Sequence, residues 1–358
     1  MTTDIVIQEN VALAPLTTLE VGGATRFFTA VKTDEELIAA INFAENQKIP
    51  IFILGGGSNL LVSDAGFNGL TIKLAFSGIE FKPEWNTVLV TAAAGENWDA
   101  LVARCVEQNL AGIEALSGIP GSVGATPIQN VGAYGQEVAE TIVSVRVFDR
   151  AAKNFKNLSN AECGFAYRTS IFNTAAQNKF IVLSVTFKLQ PNGKPAIRYA
   201  DLQQFFAENP APTLGEVRQA VLTIRAAKSM VTSAIDQNRR SAGSFFKNPI
   251  IETAKLSEIE ATAQRLKIID ETQNVPFYPT ENVGRVKIPA AWLIERAGFK
   301  KGYARGNVGI STNHSLAIVN RGGATASEIV AFVKEIQNKV SGVFGIELKP
   351  EPIWIGFE

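Results

Sequence analysis

A run of glycines directly behind a short apolar segment is the feature that most restricts how this chain can fold. Ile51–Leu54 is apolar, and Gly55-Gly56-Gly57-Ser58-Asn59-Leu60-Leu61 follows it. Because glycine has no Cβ, another molecule can approach the main-chain N–H groups of such a turn closely. A turn of accessible N–H groups can hold phosphate or pyrophosphate. The pattern favours a buried strand followed by a nucleotide-binding turn, with a plain glycine turn as the alternative.

A second glycine-rich segment, Gly118–Gly135, has five glycines and two prolines in eighteen residues. That content excludes a regular helix or a central strand. The interleaved apolar residues indicate a rigid, buried loop, and Gln129 and Asn130 add side-chain donors and acceptors. Such a loop suits a flat cofactor with polar edges, and a tight crossover between domains is the alternative. The first motif lacks both the Gly-Lys-Ser/Thr of a P-loop and the G-x-G-x-x-G spacing of dinucleotide folds.

Charge and composition limit the class of protein. Lys+Arg and Asp+Glu both number 34 among 358 residues, so no overall field attracts nucleic acid. The length predicts two or three domains. Cys105, Cys163 and the single histidine, His314, are too few for a disulfide scaffold or a structural zinc site. Cys105 is expected to be a small buried side chain.

Neither a secretion signal nor a membrane span is expected from the sequence. No basic region followed by an apolar core stands at the N-terminus. No apolar run reaches the roughly 18–20 residues that cross a bilayer. A cytoplasmic location without membrane insertion is therefore expected.

Hydrophobic periodicity predicts alternating helices and strands. Acidic residues in the first turn favour a helix that begins at Asp34. A turn is expected over 188–195, and the polar stretch 232–240 is predicted to be a linker or an exposed loop. A domain boundary is therefore expected near 222–240. The remaining predicted elements are strands at 51–54, 88–94, 142–148, 179–189 and 315–320, and helices at 97–108, 214–228, 288–294 and 327–344.

In their order along the chain, the two glycine motifs resemble the flavin-binding regions of the UDP-N-acetylenolpyruvoylglucosamine reductase family. Further motifs of that family follow in the same order. Each motif alone is weak, but the ordered set is specific and spans nearly the whole chain. The further motifs are Tyr167-Arg168-Thr169-Ser170-Ile171-Phe172, Gly243-Ser244-Phe245-Phe246-Lys247-Asn248-Pro249 and Glu347-Leu348-Lys349-Pro350-Glu351-Pro352.

The resemblance, which is to the type I branch, implies a mixed α+β and α/β fold. The family has a two-lobed FAD-binding domain of the vanillyl-alcohol-oxidase-like (PCMH) type and a C-terminal α/β substrate-binding domain. The first lobe is expected at 1–77 with a returning strand at 345–358, and the second lobe at 78–222. The substrate-binding domain is expected at 229–344.

The resemblance also implies non-covalent FAD, NADPH as co-substrate and no metal. The substrate is a UDP-sugar of peptidoglycan precursor synthesis, nucleic acid is not a partner, and a monomer is expected. The cofactor-binding residues that carry over are Gly55, Gly56, Gly57, Ser58, Asn59, Leu60, Gly118, Ile119, Pro120, Gly121, Gly124, Ala125, Gln129, Asn130, Gly132, Ala133, Tyr134 and Gly135.

Three residues carry over as catalytic. Taken alone, Arg168 is typical of a surface pair, Ser244 of a strand end and Glu351 of a solvated terminal charge. The resemblance implies that Arg168 binds the enolpyruvyl carboxylate and stabilises the enolate. It makes Ser244 the proton donor, which requires support for the serine alkoxide because a hydroxyl is a weak acid. It makes Glu351 a partly buried acid with a raised pKa that donates a hydrogen bond to the enolate.

Four residues carry over as substrate-binding: Tyr199, Lys228, Asn248 and His314. Tyr199 would lie on a mobile loop over the substrate diphosphate, and Lys228 would contact a phosphate of the substrate or of NADPH. A half-buried strand aromatic is the alternative for Tyr199, and a structural histidine is the alternative for His314. The linker 229–242 is longer and more basic than the family pattern, so its role is left open.

Two rival classes need separate evidence. An oxidase of the related FAD-linked superfamily often tethers flavin through His or Cys near the glycine motifs, but no His lies there, and Cys105 and Cys163 are outside both loops. A non-catalytic nucleotide-sensing or scaffold protein would need neither flavin nor the set Arg168, Ser244 and Glu351.

The purified protein is expected to be yellow and to release its flavin when it is denatured, because the implied FAD is held without a covalent bond. Absorbance spectra of the native protein and of the supernatant after denaturation and precipitation test this. Colourless protein would favour the non-catalytic class, and flavin that stays with the precipitate would favour the oxidase.

Overall fold

The structure, a computed structural model, describes residues 5–231, 233–280 and 282–357. It divides into two compact units. The first contains the described residues of 1–11, 25–57 and 67–232, and the second those of 12–24, 58–66 and 233–358. Two short segments from the N-terminal part of the chain therefore belong to the unit that contains the C-terminus.

The three longest helices of the described residues each begin after a threonine whose side chain caps them. Thr33, Thr213 and Thr325 each accept a hydrogen bond from the backbone N–H three residues later, which satisfies an otherwise unpaired donor of the first turn. At Thr213 and Thr325 a glutamate returns the bond as a capping box. The helices are α1 (Asp34–Gln47), α2 (Trp98–Glu107), α3 (Ala200–Phe205), α4 (Leu214–Ala227), α5 (Thr253–Arg265), α6 (Ala290–Arg296) and α7 (Ala326–Phe344).

The strands are short in both units, apart from a long one at 180–191. They are β1 (Gln8–Ala12), β2 (Ala24–Val31), β3 (Ile51–Leu54), β4 (Leu60–Val62), β5 (Phe67–Leu74), β6 (Ile79–Glu84), β7 (Thr87–Ala93), β8 (Leu110–Ala111), β9 (Gly132–Ala133), β10 (Gln136–Glu137), β11 (Ile142–Asp149), β12 (Asn154–Ser159), β13 (Phe180–Pro191), β14 (Ser241–Ser244), β15 (Ile250–Glu252), β16 (Tyr278–Pro279), β17 (Arg285–Lys287), β18 (Ala304–Arg305), β19 (Val308–Ile310), β20 (Ala317–Asn320) and β21 (Ile353–Ile355).

The described part of the first unit contains two larger sheets and the two-stranded sheet β9-β10. One has the order β1-β2-β5-β3, in which β2, β5 and β3 are parallel, and its buried face packs with α1. The other has the order β12-β11-β13-β7-β6 and is antiparallel, with β8 paired to β13. Its core includes the buried residues of α2 and the buried Val123 of the second glycine segment. The rigid support of that segment therefore comes from an antiparallel sheet and one helix.

The second unit packs α5, α6 and α7 into one apolar cluster with residues of its sheets. Its main sheet has the order β14-β20-β19-β18. Leu19, Val21 and Leu61 from the N-terminal segments are buried in this same cluster. Burial of those side chains explains why 12–24 and 58–66 belong to this unit, since apolar area removed from water is the main favourable term.

The long periodic elements agree with the sequence, and several short ones differ. The predicted turn at 188–195 begins late because β13 continues to Pro191, where it pairs with Leu110. Elements α3, α5, β1 and β2 were not predicted, and the strand expected at 315–320 begins at Ala317. The predicted returning strand is β21, but it lies with the second unit because it pairs with β4 of that unit. The division of the first unit into two lobes stays a prediction.

Replacing Phe187 with alanine should lower the free energy of unfolding by about 3–5 kcal/mol, the usual cost of a large cavity in a core. Phe187 is 0% exposed, and its ring lies 5.7 Å from that of Trp98. Urea denaturation followed by circular dichroism measures the change. Trp85→Ala is the control, because that side chain is fully exposed and its loss should change the value by less than about 0.5 kcal/mol. Equal effects of the two substitutions would contradict the assignment of this core.

Candidate active site

The two glycine-rich segments contact each other within the first unit. A Cβ on Gly56 would lie 2.5 Å from Cα of Gly121, and a Cβ on Gly55 would lie 2.8 Å from Oγ of Ser122. Gly57 has a φ of +69°, in the left-handed region that favours glycine. The backbones of the two loops therefore approach to a distance that no other residue type allows at Gly56.

Backbone hydrogen bonds to Ala94 and Glu96 fix the second loop. The N–H of Val123 donates to the carbonyl of Glu96 over 2.9 Å, and that of Gly124 donates to the carbonyl of Ala94 over 2.9 Å. A Cβ on Gly124 would lie 2.5 Å from Cβ of Ala94, so glycine is required for this approach as well. The loop is thus a rigid platform, as its apolar residues predict.

An ion pair supports the beginning of the second loop. The N–H of Gly118 donates to Oδ1 of Asp99 over 2.6 Å, and the Arg218 guanidinium donates to the same carboxylate. Burial raises the pKa of Asp99, but these hydrogen bonds outweigh burial and hold that pKa below its usual value. Asp99 is therefore a charged anchor that joins α2, α4 and the loop.

Arg225 of α4 lies next to Gly118 of the same loop. A Cβ on Gly118 would be 3.3 Å from its Nε, and its Nη2 donates to the carbonyl of Met230 over 2.5 Å. Burial lowers the pKa of Arg225, and burial raises the pKa of Tyr134, with which Arg225 shares a hydrogen bond. A buried guanidinium beside a glycine loop would balance the charge of an anionic ligand.

Two buried polar atoms at these loops have no hydrogen-bond partner among the described residues: Oγ of Ser122 and Nε of Arg225. Buried polar groups are nearly always paired, so such atoms call for a ligand or water. Together with the bare glycine surfaces, they fit the polar edge and diphosphate of a dinucleotide such as FAD. Neither residue was predicted as cofactor-binding. Their signals in the sequence, a serine inside a glycine loop and an arginine on the apolar side of a helix, are too common to stand out.

Arg168 lies against the second glycine loop. Its φ is +53°, its Nη1 donates to the carbonyl of Asn130 over 3.3 Å, and its Nη2 donates to that of Gly132 over 2.5 Å. The side chain of Asn173 donates to the Arg168 carbonyl over 3.1 Å. A strained backbone held in place by its surroundings is frequent at functional sites. The predicted carboxylate-binding arginine and the predicted flavin-binding loop are therefore in direct contact.

The remaining residues of this loop differ in how their side chains are used. The side chain of Asn130 donates to the carboxylate of Glu137 and to the carbonyl of Ala166, and it accepts from the N–H of Ala139. These bonds are within the protein and stabilise the conformation of the loop. Asn130 and Tyr134 have φ values of +46° and +49°. Ile119, Pro120, Ala125, Gln129, Ala133 and Gly135 lie along the same segment, with Ala133 in β9.

Two predicted substrate residues gather around the short helix α3. Tyr199 is its N-cap residue, and its ring meets that of Tyr134 edge-on with centroids 5.6 Å apart. Lys228, at the end of α4, donates to Oδ2 of Asp201 over 2.5 Å. Both side chains are partly exposed, so this is an accessible edge of the first unit rather than its core.

In the second unit, Ser244 lies at the end of β14, and its Oγ is 3.4 Å from Nε2 of His314. The next residue, Phe245, accepts a hydrogen bond from the N–H of Glu351 over 2.8 Å. The side chain of Asn59 donates to the Glu351 carbonyl over 3.2 Å. Ser244, His314, Glu351 and the part of the first motif at Ser58, Asn59 and Leu60 thus belong to one unit, while Arg168 belongs to the other.

Asn248 has a local role. Its Oδ1 accepts from the N–H of Ala290, the first residue of α6, over 2.8 Å. Glu347, the acid closest in sequence to Glu351, is exposed, and Glu351 is half-buried. Cys105 is fully buried, also as expected, and burial raises the pKa of its thiol to about 12, so it is not a nucleophile. Within the described ranges, no helix has the length and apolar character needed to cross a membrane.

Comparison with known proteins gives matches on both parts of the chain. Residues 25–154 match the family described as "FAD binding domain", and residues 235–355 match "UDP-N-acetylenolpyruvoylglucosamine reductase, C-terminal domain". The predicted combination of an FAD-binding domain and a C-terminal domain of this type is confirmed. The fold and the two glycine loops therefore define an FAD-dependent oxidoreductase.

Relatives that match nearly the full length of the chain identify its family. The chain is 47% identical to a UDP-N-acetylenolpyruvoylglucosamine reductase of Thermobifida fusca over 97% of both chains, and 44% identical to one of Streptomyces avermitilis over 97% of this chain and 94% of the other. A crystal structure of such a reductase from Thermus caldophilus matches with a TM-score of 0.68 and 26% identity, over 98% of this chain and 100% of the other. The chain belongs to the UDP-N-acetylenolpyruvoylglucosamine reductase family.

Gly56→Ala should reduce the FAD content of the purified protein, because its Cβ would collide with the backbone of Gly121 and force the loops apart. The ratio of flavin to protein absorbance measures the occupancy. Gly215→Ala in α4 is the matched control, since the nearest atom to its Cβ is 3.9 Å away. Full flavin content in Gly56→Ala would show that the contact between the loops does not shape the cofactor site.

Proposed function

We propose that this chain reduces the enolpyruvyl ether of UDP-N-acetylglucosamine enolpyruvate to UDP-N-acetylmuramate, with electrons from NADPH, in peptidoglycan precursor synthesis. The observation that carries the proposal is the contact of Arg168 with the carbonyls of Asn130 and Gly132 in the second glycine loop. It links a carboxylate-binding group to the region where a flavin would bind. Family membership over the full length supports the same reaction.

The two glycine loops would hold non-covalent FAD, with Ser122 and Arg225 adding polar contacts. Bound FAD would supply the redox chemistry, since it accepts a hydride from NADPH and passes it to the methylene carbon of the substrate. The residues of the chain have three other tasks: they orient the ether, stabilise negative charge and supply a proton.

Arg168 would bind the enolpyruvyl carboxylate. Hydride addition to the methylene carbon moves an electron pair toward this carboxylate and makes an enolate. A guanidinium whose donors are already oriented by two carbonyls stabilises that charge at little reorganisation cost. The protonated carboxyl of Glu351 would donate a hydrogen bond to the same enolate.

Ser244 would protonate the adjacent carbon, which completes the reduction of the carbon–carbon double bond. A serine is a weak acid, so its alkoxide needs a hydrogen-bond partner as the proton leaves. His314, with Nε2 at 3.4 Å from the hydroxyl, is suited to that task. Tyr199 and Lys228 would contact the diphosphate or NADPH, and Asn248 and His314 would contact the substrate.

The remaining expectations are part of the same proposal. The FAD-binding domain would consist of a first lobe at 1–77 with the returning strand at 345–358 and a second lobe at 78–222, and the substrate-binding domain would span 229–344. The enzyme would act as a cytoplasmic monomer. The family resemblance supports these statements.

Ser244→Ala should slow the oxidation of reduced flavin by the enolpyruvyl substrate by about 10²–10⁴-fold, the usual contribution of a positioned proton donor. Reduction of the flavin by NADPH should be nearly unchanged, since that step uses no proton from serine. Anaerobic stopped-flow absorbance separates the two half-reactions. Ser257→Ala, on an exposed face of α5, is the matched control. Equal losses in both half-reactions would contradict the role of Ser244.

A further inference from the structure

The linker 229–242 contains a buried amide side chain, which is not expected in an exposed loop. Asn238 is 4% exposed, although neighbouring residues of the stretch, such as Ile235, are almost fully exposed. A buried amide loses its water and needs hydrogen bonds from the protein. The bonds that Asn238 makes therefore indicate why it is buried.

Asn238 binds the turn that carries His314. Its Oδ1 accepts from the N–H of Thr312 over 3.1 Å, and its Nδ2 donates to Oγ1 of Thr312 over 3.0 Å. The backbone of Asn238 is itself fixed, because its N–H donates to Oδ1 of Asp236 over 2.8 Å. The amide thus makes a two-point contact with a residue two positions before His314.

The other end of the linker is tied to the strand that carries Ser244. The carbonyl of Arg240 accepts from the N–H of Asn320 in β20, and the carbonyl of Ser241 accepts from the hydroxyl of Thr18 over 2.6 Å. Ser241 then begins β14, which ends at Ser244. The segment from Asn238 to Ser241 is therefore held on both sides before the chain reaches the reactive serine.

The two arginines of the linker share one carboxylate partner. Arg239 and Arg240 both donate to the carboxylate of Glu20, and the side chain of Asn320 holds the carbonyls of Leu19 and Glu20. Burial raises the pKa of Glu20, but the two guanidinium groups outweigh it and hold the pKa below its usual value. Two guanidinium groups and one carboxylate leave one positive charge, and their hydrogen bonds hold the linker against Glu20 as a structural brace.

We propose that Asn238 is a positioning residue for proton transfer: it fixes the turn 311–315 so that Nε2 of His314 stays within hydrogen-bonding distance of Oγ of Ser244. The inference rests on the proposed role of Ser244. One rigid segment contacts the histidine turn through Asn238 and continues directly into the serine strand. The distance between the two side chains therefore depends on this segment as well as on the pairing of Ser244 with Ala317 in the neighbouring strand.

The expected effect follows from the short range of proton transfer. A displacement of about 1 Å in a reacting group can lower a rate by on the order of 100-fold. Asn238→Ala removes both contacts to Thr312, so the oxidation of reduced flavin by UDP-N-acetylglucosamine enolpyruvate should slow by on the order of 10-fold to 100-fold. Flavin reduction by NADPH should stay within about twofold of wild type, because no proton passes through Ser244 in that step.

Anaerobic stopped-flow absorbance on the FAD-loaded enzyme tests this in both half-reactions. Thr312→Val is a second variant that removes the hydroxyl but keeps the N–H bond, and its effect should lie between wild type and Asn238→Ala. Asn307→Ala is the matched control, since that exposed asparagine contacts the carbonyl of Gly323 and should leave both rates unchanged.

A double-mutant cycle distinguishes positioning from general destabilisation. In a Ser244→Ala background, Asn238→Ala should cause no further loss of flavin oxidation, since it acts through the missing hydroxyl. An additional loss of the same size as in wild type would overturn the proposal. So would equal slowing of both half-reactions, or an unchanged oxidation rate in both Asn238→Ala and Thr312→Val. If Ser244→Ala itself left oxidation unchanged, the proposed function of Ser244 would fail first, whatever the linker variants did.

Discussion

The close approach of two backbone loops is the constraint on which the first unit depends. Gly56 lies so near Gly121 that any side chain would collide with the opposite backbone. The second loop can only take this place because an antiparallel sheet and α2 hold it by backbone hydrogen bonds. The same geometry leaves Ser122 with a buried hydroxyl that no described residue satisfies. The proposed FAD site would thus be a consequence of how the loops pack.

The proposed role of Ser244 requires the second unit to place a weak acid accurately. Ser244 has no catalytic triad, and its hydroxyl is close to a histidine on a neighbouring turn. The strand and the turn are both tied to the segment 238–241. A brace of this kind limits the motion of both groups at once, which matters more for proton transfer than the strength of any single bond.

Much of the fold could be predicted because periodicity in long elements reports burial directly. Helix α7 and strands β3 and β11 lie where their apolar patterns place them. The short β4 and β21 could not be paired from sequence, because a three-residue strand has too little pattern to reveal its partner. Asn238 was expected in a polar, exposed stretch, and only the neighbouring Thr312 explains its burial.

By itself, the sequence determined the family and the flavin cofactor and predicted the reactive groups, because glycine motifs and their order are local properties of the chain. The tertiary structure decided which side chains act on one another. Arg168 meets the carbonyls of the glycine loop, and Ser244 meets His314 across 70 residues of chain. The physical reason is that hydrogen bonds depend on distances of a few ångströms, which are set by packing between elements far apart in the sequence.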